Sequence, residues 1–465
     1  MIETELSLSP LLAPLFTTAE MRALHADGAV IGRMLEFEAA LARAEAVEGV
    51  IPRSAVAAIK SACHPARFDA AAFGKTAAFS GNPAIPFVKA LTAEVAKRNR
   101  EAARYVHWGA TSQDVIDTAA VIAIRESVEL LDRDLARAIK AFARLARKHR
   151  KTPLAARTWL QQALPTVFGL KLARWAALVA RARENLHEAA AKAAVLQFGG
   201  AAGTLAALRK KGPRVAKRLA EELDLRLDAP WHAERDRIAN VASAVGILIG
   251  AGGKIARDVS LLMQTEVGEV SEPTGHGRGG SSTMPHKRNP VACAQILAAA
   301  NLAPGLVASL LSGMVQEQER ALGGWQAEWI AIPQLFLLAS GVASRLAEIA
   351  EGMEIDAARM RKNLDATHGL IMGEAVQMAL GATLGRLEAH DLLEAASKRA
   401  AKERRPLIEV LSRMPEVTKV LPREKLARLF DPLAYLGSAE PFLERTLACV
   451  EKSLKHSSTK SRRKR

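Results

Sequence analysis

From about residue 111 the sequence repeats apolar residues at helical spacing over stretches unusually long for a small domain. Leu131, Leu135, Ile139, Phe142 and Ala146 fall on one stripe of a helix expected over about 111–150. Further helices are expected over about 165–196, 234–267, 290–316 and 326–352. Several exceed ~25 residues, or ~37 Å at 1.5 Å per residue. Their apolar faces are wider than a coiled-coil seam, so they pack as a bundle, and such bundles commonly continue across subunits. Alanine, leucine, arginine and glutamate fill them, while aromatics make up only 4% of the chain. The expected fold class is all-α.

One of these helices invites a membrane reading. Residues 290–316 carry no charge and are long enough to span a bilayer. Gln295, Asn301 and Pro304 interrupt the stretch, and alanine and glycine supply much of its apolar count. A helix at the centre of a soluble bundle, apolar on every side, fits it better. The N-terminus has early acids and no basic leading region, so it does not read as a signal peptide. Cys63, Cys293 and Cys449 lie far apart, without disulfide or metal-ligand spacing, which suits a reducing cytoplasm.

The net charge of +16 raises the question of nucleic acid. The last fifteen residues hold seven Lys/Arg against one Glu, so six of those charges belong to a basic tail expected to be disordered. The rest is spread along mixed Arg/Glu helix faces, and no zinc-finger or ribonucleoprotein motif accompanies it. A basic surface also suits a small polyanionic substrate, and no nucleic-acid or membrane partner is expected. The expected organisation is an N-terminal helical domain (1–110), a central long-helix domain (111–355), a C-terminal helical domain (356–450) and the tail (451–465).

Two stretches concentrate chemistry. In "TSQD" (111–114), Thr111 and Asp114 form a capping-box signature that opens the first long helix. Residues 279–290, "GGSSTMPHKRNP", join a glycine-rich run to a helix start, with Asn289 as N-cap and Pro290 at the first helical position. A helix N-terminus beside Lys287 favours an anion. A serine held among loop N–H groups and a lysine can carry out proton transfer at carbon. The same composition also describes a flexible surface loop followed by a capped helix.

The second stretch is more specific than its composition. It resembles the G-S-S-x-M-P-x-K-x-N-P signature of the fumarase/aspartase superfamily at Gly280, Ser281, Ser282, Met284, Pro285, Lys287, Asn289 and Pro290. Two further segments resemble the other conserved regions of that superfamily, "HWGATSQD" (107–114) and "RTWLQQALPTVFG" (157–169). "LEFEAALARAEA" (35–46), "GNPAIPFVKAL" (81–91), "QFGGAAGTLA" (197–206) and "ERALGGWQAEW" (319–329) are similar to its 3-carboxy-cis,cis-muconate cycloisomerase branch.

The resemblance implies a homotetramer whose central helices form one shared core, with each active site drawn from three chains. It implies that Ser281 is catalytic on a mobile loop. Substrate contacts would come from His107, Thr111, Ser112, Gln161, Ser282, Lys287 and Asn289. Most lyases of the superfamily have histidine where this chain has Trp159. A carboxylate nucleophile or leaving group needs no proton donor at neutral pH, because its conjugate acid has a pKa near ~4. The implied reaction is therefore closure of one substrate carboxylate onto an alkene carbon, with protonation of the neighbouring carbon and with no metal or organic cofactor. The alternative is a fumarate-releasing lyase of the adenylosuccinate type. A retired scaffold is disfavoured by the intact Ser281, Lys287 and Asn289, while a nucleic-acid binder using the tail is separated by deleting 451–465, which should cost a binder affinity but not an enzyme turnover. His286 is read as a loop residue. His232 stands open between a surface histidine and a contributor to the site, and Glu317, Glu319 and Arg320 are left outside catalysis.

Overall fold

The computed structural model of the 465-residue chain describes residues 9–275, 279–280, 284 and 287–462, with side chains up to Lys455. Helices dominate, and those expected from sequence between residues 111 and 352 are Ser112–Lys148, Phe168–Ala193, Asp236–Leu262, Val291–Ser312 and Gly324–Gly352. These bounds follow the helical periodicity of the sequence closely. Pro304 and Pro333 lie inside two of them, which continue through both residues.

The chain forms two compact units. The first comprises Met1–Asp134, Ala182–Gly253 and Gln295–Ser344. Its core includes Met21, Leu35, Phe37, Leu41 and Phe87, all buried. Phe37 meets Phe198 edge-on at 6.4 Å between ring centroids. Close helix approach depends on absent side chains. A Cβ on Gly246 would come within 2.8 Å of Val307, and one on Gly253 within 2.7 Å of Ala300, so Asp236–Leu262 and Val291–Ser312 pack almost backbone to backbone there.

The second unit comprises Leu135–Arg181, Lys254–Ala294 and Arg345–Arg465. Phe142 and Phe168 both pack edge-on against Trp175, whose Nε1–H donates to Asp258 Oδ2 at 3.0 Å. A separate apolar cluster around Val376, Leu380, Leu407, Leu411 and Leu426 holds its shorter C-terminal helices together. The last helix, Ala439–Arg462, carries helical backbone through most of the stretch read from sequence as a disordered basic tail. Buried Leu443, Leu447 and Val450 anchor its first turns, and Arg147 pairs with Glu451 where the tail begins.

Two departures from the sequence expectation bear on function. Residues 153–167, to which the sequence reading assigns no element ahead of the helix expected at about 165, form an antiparallel hairpin of Pro153–Thr158 and Gln161–Val167. The β-branched Thr158, Thr166 and Val167 suit strands, and Pro165 cannot donate the N–H that a helix interior needs. The second concerns Val291–Ser312. Among the described residues three helices are long and apolar enough to cross a membrane by length and composition. Two bury 67% of their most apolar stretch, but Val291–Ser312 buries only 28%. Leu302 is 59% exposed and Leu311 46% exposed, so a single chain does not surround this helix. Among the described residues much of its apolar surface is left uncovered.

Candidate active site

In the first unit, the segment 107–114 is fixed by a buried carboxylate. Asp114 Oδ2 accepts from the Thr111 N–H at 3.0 Å, which is the reciprocal half of the capping box expected from sequence. Asp114 does more than cap the Ser112–Lys148 helix. Its Oδ1 and Oδ2 accept the Gly199 and Gly200 N–H groups, each at 2.9 Å, and His232 Nε2 lies 2.9 Å from Oδ1. The "QFGGAAGT" stretch is thereby tied to the start of the helix. Gly199 has no substitute, because a Cβ there would come within 2.6 Å of the His232 ring. His232 is 3% exposed, so it is neither a surface histidine nor free; it sits behind the site and holds Asp114.

A buried charge network supports this region. Arg235 donates from Nη1 and Nη2 to the two Asp117 oxygens, at 2.7 and 3.1 Å, and also pairs with Glu328. It lies 4.7 Å from the Trp231 ring centroid. Trp325 Nε1–H donates to Asp117 Oδ1 at 2.8 Å, and Gln113 Nε2–H donates to the His232 carbonyl at 2.8 Å. Burial pushes the Glu328 carboxyl up from its ordinary range, with Asp117 adding to the effect and Arg235 opposing it. Buried ions of this kind are tolerable only when every partner is present.

The predicted contact His107 sits in the left-handed backbone region, at φ 57°. Its Nδ1 lies 2.5 Å from Oε1 of Glu38, a fully buried side chain in the Asp27–Val47 helix. Burial alone would lower the pKa of this imidazole, but the Glu38 charge, the Glu38 hydrogen bond and Asp114 outweigh it and raise it. Thr111 and Ser112 follow at the helix start. Thr111 Oγ1 accepts from Arg320 Nη2 at 3.0 Å, and Arg320 also donates to the Ala201 carbonyl at 3.2 Å. The Nε of Arg320 is buried without a partner among the described residues. Arg320, set aside from sequence, therefore lies beside a predicted substrate contact with a donor to spare.

The second unit holds the other predicted residues. Gln161 pairs with Thr158 across the hairpin, flanking a two-residue turn in which Trp159 and Leu160 both have positive φ, 52° and 63°. Such turns ordinarily take Asn-Gly, so these two large residues are held at a backbone cost of about 1–3 kcal/mol each. Trp159 is 97% exposed. The hairpin is anchored by Arg157, whose two Nη groups donate to Glu269 at 2.9 and 2.7 Å. Asn363 Nδ2–H donates to the same buried carboxylate at 2.9 Å.

Of the signature, Lys287 and Asn289 are described, while Ser281, Ser282 and His286 lie outside the described residues. The Asn289 N–H donates to the Gly279 carbonyl at 3.0 Å, and the Lys287 N–H to the Met284 carbonyl at 3.0 Å. The helix that follows begins at Val291. Glu272 accepts from the Ala292 and Cys293 N–H groups, at 3.0 and 2.7 Å. An acidic side chain from nineteen residues upstream thus occupies the helix end that the sequence offered to a substrate anion. Arg288 holds the segment further, through Glu354 at 2.8 Å and the Glu272 carbonyl at 2.9 Å.

His107, Thr111 and Ser112 are thus gathered by the first unit, and Gln161, Lys287 and Asn289 by the second. The lyase family model matches residues 16–305, well over half of the chain, and the adenylosuccinate lyase C-terminus model matches residues 369–446. The chain belongs to the lyase family of the fumarase/aspartase superfamily. Among its lyase-family relatives, 3-carboxy-cis,cis-muconate cycloisomerase of Bradyrhizobium diazoefficiens is 58% identical over 96% of this chain and 99% of its own. The protein of that name from Pseudomonas aeruginosa is 51% identical over 93% and 95%. The crystal structure of 3-carboxy-cis,cis-muconate lactonizing enzyme from Pseudomonas putida superposes with a TM-score of 0.91 at 47% identity, covering 96% of this chain and 100% of that one. Glu38 and Asp114 are the site-building residues that sequence reading passed over or assigned too small a role. The available signal for Glu38 was its seven-residue spacing from Glu45 on an otherwise apolar helix face.

Proposed function

We propose that 107–114, 157–169 and 279–290, each contributed by a different chain of a homotetramer, make up each active site for lactonisation of a tricarboxylate. The chain is a 3-carboxy-cis,cis-muconate cycloisomerase. It converts 3-carboxy-cis,cis-muconate to 4-carboxymuconolactone, an intramolecular lyase reaction of aromatic catabolism in the β-ketoadipate pathway. The observation that carries this reading is Trp159, which places an indole, with no proton to give at neutral pH, at the hairpin turn beside Gln161. A lyase that expels an amine or hydroxyl benefits from a proton donor there, whereas a carboxylate attacks or leaves without one. The names of the most similar relatives, which match nearly the whole chain, support the same choice over an adenylosuccinate-type lyase.

In the proposed mechanism Lys287, Asn289 and protonated His107 hold the three carboxylates, with Thr111, Ser112, Gln161 and Ser282 completing the contacts and Arg320 adding charge. One carboxylate oxygen forms a C–O bond to the neighbouring alkene carbon. The alkene electron pair moves into the adjacent carboxylate as an enolate-like dianion, which the surrounding positive charge stabilises. Ser281 then delivers a proton to the carbon, and in the reverse direction it removes that proton. No step calls for a metal or organic cofactor.

The exposed apolar face of Val291–Ser312 supports a homotetramer in which such helices cover one another. The exposed hairpin turn supports sites shared between chains. The three helical domains bounded at 110, 355 and 450, and a cytoplasmic location, belong to the same proposal. Product identification tests it. Incubation with 3-carboxy-cis,cis-muconate should yield 4-carboxymuconolactone by NMR, and an inert diene together with fumarate released from adenylosuccinate would contradict it.

A further inference from the structure

A histidine grips a carboxylate strongly only while it carries its proton, and nothing in "HWGATSQD" itself supplies the charge that would keep it there except Asp114. The partner comes from another helix. Glu38 lies in the middle of Asp27–Val47 with its side chain 1% exposed, and its Oε1 is 2.5 Å from His107 Nδ1. The left-handed backbone at His107, φ 57°, sets the ring against that carboxylate and leaves Nε2 as its remaining donor.

The surroundings keep the pair simple. Glu45 follows Glu38 by two helical turns, and burial with the Glu38 charge holds its carboxyl protonated, up to about 9. Cys63, at the end of the Arg53–Ala62 helix, is pushed up to about 12 by burial and Glu38, although Arg43 opposes the shift. Both are neutral near pH 7. The charged groups that act on His107 are therefore Glu38 from one helix and Asp114 from the start of another. Asp114 is committed to three backbone N–H groups and to His232, which leaves Glu38 as the direct partner.

We infer that Glu38 is a positioning residue: it fixes His107 as an imidazolium whose Nε2–H binds a substrate carboxylate. This rests on the reading of His107 as a substrate contact. The two ideas separate experimentally. The His107 imidazole is titrated by NMR in histidine-labelled wild type, E38Q and E38D, with H107N to assign the signal, and kcat/KM is followed against pH in the same proteins. A raised imidazole pKa means that binding is present at low pH and lost as pH rises through that pKa. In E38Q both the NMR titration and this alkaline limb should move to lower pH. KM above neutrality should rise roughly ten- to a hundredfold, the worth of one charge-assisted hydrogen bond, with kcat little changed. E38D, which keeps the charge, should restore most of the titration, and it carries the test should E38Q fold poorly. An unmoved NMR titration in E38Q would overturn the positioning role. A moved titration with an unmoved kcat/KM profile would leave the pair intact and remove His107 from the substrate site.

Discussion

Glu45 offers a prediction whose size follows from the structure. Its side chain is fully buried, and both carboxyl oxygens lack a hydrogen-bond partner among the described residues. Burial, with Glu38 adding, lifts its pKa from 4.5 to about 9. Below pH 4.5 the acid is neutral in both folded and unfolded chains. Between 4.5 and 9 the folded chain keeps a proton that the unfolded chain has released, so stability falls as pH rises. The slope is about 1.4 kcal/mol per pH unit. At pH 7 the group has cost about 3 kcal/mol relative to acid pH. Glu45→Gln replaces it with a neutral amide of the same shape and removes the titration. Urea unfolding of both proteins, followed by circular dichroism at equal concentration from pH 5 to 8, checks this. The stability difference should grow in favour of the variant by about 1.4 kcal/mol per unit. Other titrating groups drop out of the difference; these include His25, which burial and Arg33 hold down at about 4. Parallel stability curves would refute the reasoning, whatever their offset.

Other consequences follow from the buried charges. Arg235→Met should destabilise by about 3–5 kcal/mol in chemical unfolding, because Asp117 and Glu328 would be left buried without their cation. Adding Asp117→Asn and Glu328→Gln to that variant should recover a large part of the loss. Glu272→Ala should cost about 1 kcal/mol and speed amide hydrogen exchange at Ala292 and Cys293, the two N–H groups that it caps.

The helices were legible in the sequence because a 3.6-residue apolar period, held over more than twenty residues, has few other solutions. The signature at 280–290 was legible because its residue types are unusual together. The hairpin at 153–167 was not, since its two-residue turn is made by Trp159 and Leu160 rather than by residues that favour positive φ. Polar pairs that cross long sequence separations were also hidden. Glu38 meets His107 over 69 positions and His232 meets Asp114 over 118, and no local pattern announces either. Asn289 looked like the helix cap because Asn-Pro is a strong local signal, yet Glu272 supplies two charge-assisted acceptors from outside the local window. The uncharged run at 290–316 fitted a buried helix by composition. Burial, however, depends on what packs against it, and one chain leaves most of that helix uncovered.

The central claim is that the chain lactonises a muconate with Ser281 as the proton-transfer group. The most direct test follows the ultraviolet absorbance of the conjugated diene of 3-carboxy-cis,cis-muconate, with purified wild type beside Ser281→Ala of matched oligomeric state. The account predicts rapid loss of absorbance with wild type and a rate lower by at least about a hundredfold in the variant, the smallest factor expected for a general acid–base group. A wild type that leaves the diene intact would contradict the reaction. An equally fast Ser281→Ala enzyme would contradict the role given to the serine.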